Sequence, residues 1–114
     1  MEEMTKAEKR QLNQAAAKGH EEALRRALQK LDADFDLWRG AKIDSFELAD
    51  RIHKFHQKED REIYKRFVDR SPSDAHWVAI YCLNEGLIRE EDIPEQGLAY
   101  VNKVRNIMRQ AGIG

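Results

Sequence analysis

Leu24, Leu28, Leu31, Phe35 and Trp38 are spaced four, three, four and three residues apart, the interval that stacks side chains along one face of an α-helix. A period of two, which a strand needs, appears nowhere in the chain, and neither does an internal repeat. This stripe ends at Gly40, and upstream of it Thr5 and Glu8 form a capping box, so a helix is expected to begin near Lys6. Between them lies QLNQAAAKGHEE, in which three alanines favour helix and Gly19 disfavours it by about 1 kcal/mol. The pattern allows a bend at Gly19 or an unbroken helix from 6 to 39. The unbroken form would be roughly 50 Å long, against a radius of gyration of roughly 13 Å for a compact chain of this size, and would want a partner chain.

The next boundaries are also written as caps. Asp44 and Glu47 start a second helix near Ser45, with Ile43 placed to staple onto Leu48. Ser71-Pro72-Ser73-Asp74 starts a third, with serine as cap and proline in the first helical position. That third segment, AHWVAIYCLN, has no charged residue from Ala75 to Asn84, so it is expected at the centre of the core. Gly86 with Leu87 reads as its glycine-capped end. After a short turn near 89–93, Tyr100, Val101, Val104, Ile107, Met108 and Ala111 give the last helix a broad apolar face. The expected fold is all-α: an irregular or orthogonal bundle of about four main helices, 6–39, 45–69, 72–85 and 95–111, with a long N-terminal helix. With 114 residues, one helical domain is expected, frayed at 1–5 and 112–114.

Composition narrows the function classes. A formal net charge of −1 gives no global attraction to nucleic acid or an anionic membrane, so such binding would need a local patch. One cysteine, Cys82, allows no internal disulfide and no cysteine-based zinc cage, and fits a reducing, cytoplasmic compartment. The opening residues lack the apolar core of a signal peptide, and no segment is apolar over the length of a membrane span.

The stretch DRIHKFHQKEDREIYKRF, Asp50 to Phe67, admits three functional readings. On a continuous helix Leu48, Ile52, Phe55, His56, Ile63 and Phe67 fall within roughly 120° and form the expected buried face. Arg51, Lys54, Lys58, Arg61 and Lys65 then form one cationic stripe, the candidate contact for an acidic partner. His53, His56 and Asp60, at i, i+3 and i+7, are competent metal ligands, but no Glu-x-x-His motif on a second helix completes them. No metal or cofactor is therefore expected. Cys82 and His76 lie about 240° apart around their helix and cannot form a catalytic pair within it. Trp38 and Trp77 are read as core residues, and no nucleophile elbow, phosphate loop or dinucleotide fingerprint is present.

The segments FELADRIHKFHQKEDREIYKRF, Phe46 to Phe67, and GLIREEDIP, Gly86 to Pro94, resemble a group of small bacterial all-helical proteins of uncharacterised activity. The resemblance implies a bacterial, cytoplasmic protein and carries no functional residue with it. The function expected from the sequence is a non-enzymatic protein–protein interaction module. Leu24, Leu28, Leu31, Phe35 and Trp38 are its candidate self-association face, which would make a homodimer. The runner-up is a nucleic-acid-associated protein using the cationic stripe, and the third reading is a metal-binding bundle.

Overall fold

A computed structural model describes residues 3–112, and over these the chain is all-α, without a strand. Part of the fraying expected at the ends concerns Met1, Glu2, Ile113 and Gly114, which lie outside the described residues. Helix α1 runs Lys6–Arg39 without interruption at Gly19. Its start is the capping box read from the sequence: Glu8 N–H donates to Thr5 Oγ1 at 3.1 Å and Thr5 N–H to Glu8 Oε1 at 2.7 Å. At its end Lys42 N–H bonds to the Leu37 carbonyl and Ala41 N–H to that of Trp38, the paired closure of a Schellman turn. The residue carrying the left-handed conformation is Ala41, at φ 55°, one position after the glycine that the sequence nominated.

The second helical rod has three parts: α2 (Ser45–Phe55), a π turn (His56–Asp60) and α3 (Arg61–Phe67). Asp44 caps α2 by accepting from Glu47 N–H at 2.8 Å. The π turn has a cause in the sequence. A turn closed i→i+5 holds about one residue more than an α-turn and so sets back everything beyond it by roughly 100°. That setback narrows the spread of Leu48, Ile52, Phe55, Ile63 and Phe67 from roughly 120° to roughly 80°. The apolar phase slips by one residue between Phe55 and Ile63, and the π turn absorbs the slip.

Beyond this rod come a 3₁₀ turn at Pro72–Asp74 capped by Ser71, then α4 (Ala75–Asn84), a 3₁₀ turn at Glu90–Asp92 and α5 (Glu95–Gln110). Gly86, at φ 69°, ends α4 as expected.

The chain forms two compact units, one made of residues up to Gly19 with those from Arg70 onward, the other of His20–Asp69. The first holds the main core. Leu12, Ala15 and Ala16 of α1, most of α4 (Ala75, Val78, Ala79, Ile80, Cys82), Ile88, Ile93, and Tyr100, Val101 and Val104 of α5 are buried in it. Two glycines make this packing close. A Cβ on Gly19 would overlap Sγ of Cys82, and one on Gly97 would lie 3.2–3.3 Å from Gln11, Ile93 and Leu12. Gly97 N–H also donates to Gln11 Oε1 at 2.7 Å, and Lys18 pairs with Asp92 at 2.6 Å. The face expected for α5 fades toward its end, because Ile107 and Ala111 are exposed. Trp77, expected in the core, stands on the outer side of α4 at 43% exposure, its ring centre 4.6 Å from that of His76.

The His20–Asp69 unit is a helical hairpin. Trp38 Nε1 donates to Ser45 Oγ at 3.0 Å, Arg51 meets Asp34 at 2.7 Å, and the His20 ring stacks on Phe67 with centroids 4.9 Å apart. These contacts pair descending positions on α1 with ascending ones on α2 and α3, so the two rods are antiparallel.

Candidate interaction surface of the helical hairpin

Burial in the hairpin is sparse. Ala27, Leu48 and Phe67 are its buried residues, while Leu28, Leu37, Trp38, Phe46, Ile52, Tyr64 and Val68 are all exposed large apolar side chains. Two helices alone each offer one stripe and can cover only part of it. The self-association face read from the sequence is therefore half covered: Leu24, Leu31 and Phe35 are half-buried, and Leu28 and Trp38 stand out at 51% and 41% exposure. Trp38 is not a core residue as expected. Its indole packs edge-on to Phe35, over which the Arg39 guanidinium lies at 5.9 Å.

The two long edges of the hairpin differ in chemistry. On one, Arg51 spans Asp34 of α1 at 2.7 Å and Glu47 of its own helix at 3.0 Å. These bonds, first that to Asp34, hold the guanidinium even more firmly protonated than usual. Beside them a depression of about 210 Å³ has Leu31 and Phe55 as apolar lining and Lys30, Lys54 and Lys58 as cations, with Glu59 among them. Lys54 is itself paired with Asp50 at 2.9 Å, which raises its pKa.

The cationic stripe drawn from the sequence does not survive as one stripe. Arg51, Lys54 and Lys58 share this depression, whereas the π turn carries Arg61 and Lys65 roughly 100° around the rod. Lys58, Arg61 and Lys65 make no ion pair among the described residues. Lys30 joins the group from α1. Its membership was invisible in the sequence, because it depends on the antiparallel pairing of two helices.

The other edge is apolar. Measured from the buried Ala27, Leu28 lies roughly 100° around α1, and Ile52 and Tyr64 lie roughly 40° and 60° around the second rod from Leu48 once the π turn is counted. In an antiparallel pair these rotations bring all three to the same side, opposite Arg51 and Asp34. Their exposures, 51%, 38% and 57%, agree with that placement.

His53 and His56 are both exposed, which corrects the expectation that His56 belongs to the buried face. The π turn begins at His56 and brings its Nδ1 to 3.3 Å from Asp60 Oδ2. Among the described residues no three His, Cys, Asp or Glu side chains gather where they could hold a metal ion, so His53, His56 and Asp60 do not converge. Cys82 is in no disulfide and is buried against Gly19. No described helix is long and apolar enough to cross a membrane. Comparison with protein-family models, curated proteins and solved structures returns no match.

Proposed function

We propose that the chain is a non-enzymatic protein–protein interaction module whose working surface is the apolar edge of the His20–Asp69 hairpin. The observation that carries this is the uneven burial. Among the described residues, the unit built on α4 and α5 leaves two large apolar side chains exposed, Trp77 and Ile107, while the hairpin leaves seven, among them Leu28, Ile52 and Tyr64, which helical rotation puts on one side. Exposed apolar side chains grouped on one edge are the mark of a surface that another molecule covers. The compartment we infer is a bacterial cytoplasm, supported by the resemblance of Phe46–Phe67 and by a lone buried thiol.

A second reading, an acidic or nucleic-acid partner, is favoured by Lys30, Lys54 and Lys58 around the depression on the opposite edge. It is less well supported, because Arg51 and Lys54 are already engaged by acids.

Photo-crosslinking in cells that make the protein separates the readings. A crosslinker in place of Leu28 or Ile52 is expected to give protein adducts, while one at the exposed Gln14 or Asn102 gives none. Nuclease-sensitive adducts from Lys30 or Lys58, with none from Leu28 or Ile52, overturn the proposal in favour of the second reading.

A further inference from the structure

We infer that the occupant of the apolar edge is a second copy of this chain, docked antiparallel about a two-fold axis near Lys30 so that two hairpins complete a four-helix bundle. The inference rests on the interaction reading above and names its partner.

The charges bordering Leu28 on α1 complement those of a second, reversed copy. Glu21, Arg25, Asp32, Asp36 and Arg39 lie roughly 20–80° to one side of Leu28, away from the hairpin's own interface, while Leu24, Leu31 and Phe35 lie roughly 20–60° to the other. The bordering charges thus read minus, plus, minus, minus, plus along the helix. A two-fold axis near Lys30 sets Glu21 opposite Arg39 of the second copy, and Arg25 within one residue of its Asp36. Both contacts are of opposite sign, and each occurs twice, as an isologous interface requires. A parallel pairing would set each charge against its own kind.

The apolar residues obey the same axis. The two Leu28 positions fall four residues apart along the paired helices, roughly 6 Å, within reach of one another. Phe35 falls across from the level of Leu24 and Arg25. Arg25 and Arg39 are held within their own helix by Glu21 and Asp36, at 2.9 and 2.6 Å, through side chains well exposed to solvent. Those acids have free lone pairs to share, so docking adds partners without stripping any. With its apolar edge covered on both sides, the hairpin becomes the usual antiparallel bundle, in which each helix meets two neighbours.

Sedimentation equilibrium of the purified full chain over micromolar to millimolar concentration tests this. The expected result is a monomer–dimer equilibrium that Leu28→Arg or Ile52→Glu weakens by at least roughly tenfold, as loss of a central apolar contact does. Helical circular dichroism should be unchanged. Arg25→Glu should weaken the dimer, and adding Asp36→Arg in the same chain should restore it, because each new pair is again of opposite sign across the axis. A monomer at every concentration overturns the inference, as does a dimer indifferent to Leu28→Arg, or a double variant no tighter than Arg25→Glu alone. Failure here is distinguishable from failure of the broader reading. Purified monomer together with crosslinks from Leu28 to a different protein sinks the second copy and keeps the module, whereas purified monomer without any site-dependent crosslink sinks both.

Discussion

Gly19 sits inside an unbroken helix, where alanine would ordinarily be better by about 0.8–1 kcal/mol. The structure reverses that expectation. A Cβ at this position would overlap Sγ of Cys82 and lie 3.1 Å from its Cβ, and Cys82 is fully buried. Forcing a methyl group into a filled core costs about 1–3 kcal/mol. Set against the gain in helix propensity, Gly19→Ala should destabilise by about 1 kcal/mol, up to about 2 if Cys82 cannot turn aside. Cys82→Ala alone removes a buried sulfur and should also destabilise. In the double variant the new methyl group occupies the space the sulfur leaves, so the two losses should not add, with a coupling of about 1–2 kcal/mol. Urea unfolding followed by tryptophan fluorescence in a Trp38→Phe background reads this out, since Trp77 then reports on the unit containing both residues. A stabilised Gly19→Ala, with effects additive in the double variant, would refute the claim that close approach of α1 and α4 fixes this glycine.

Three further outcomes are expected. Ala41→Gly should raise stability by about 0.5–1 kcal/mol, because the left-handed cost of a Cβ residue, about 1–2 kcal/mol, exceeds the extra freedom glycine gains in the unfolded chain; a neutral thermal midpoint contradicts this. His76 is buried, and burial holds its imidazole below the ordinary value of 6.5, with the Ser73 backbone and the Asp74 charge pulling the other way. Its folded pKa is therefore the lower one, so its contribution to stability is complete above about pH 6.5 and is lost as pH falls below it; urea midpoints at pH 7.5 and 5.5 should show this decline, and His76→Phe should flatten it. Deleting Gln57 should convert the π turn to an α-turn while keeping Leu48, Ile52, Phe55, Ile63 and Phe67 in phase, so helicity and midpoint should hold; a cooperative loss of structure shows that the wide turn itself is required.

The helix starts were legible because each is a local chemical statement: Thr5 with Glu8, Asp44 with Glu47, and Ser71 with Ser73 bond within a few residues of themselves. The centrality of α4 was legible for the same reason, since ten residues without charge have nowhere else to go. What the sequence hid depends on partners far along the chain. Gly19 looks like a breaker until Cys82 is known to lie against it. Lys30 looks like one more surface cation until α2 is laid antiparallel beside it. The π turn was readable in principle, as the one-residue slip between Phe55 and Ile63, but a 120° stripe on an ideal helix conceals a slip of that size. Trp38 and Trp77 misled because their spacing places them at the margin of an apolar face, where a large ring is only half covered.

The unit that contains α4 and α5 is discontinuous in sequence, and this sets an order of events while the chain is being made. His20–Asp69 leaves the ribosome as one uninterrupted stretch, with both of its helical rods available to each other at once. Leu12, Ala15 and Ala16 emerge earlier, but the residues that cover them end only at Val104. At about 5–20 residues per second that is a wait of roughly 4–18 s. During it the first half of α1 presents an uncovered apolar face to the translation machinery and to chaperones. Slow codons between Asp69 and Val104 would lengthen that interval without touching the hairpin, so the speed of synthesis over that stretch governs how much of the nascent chain is captured before it closes.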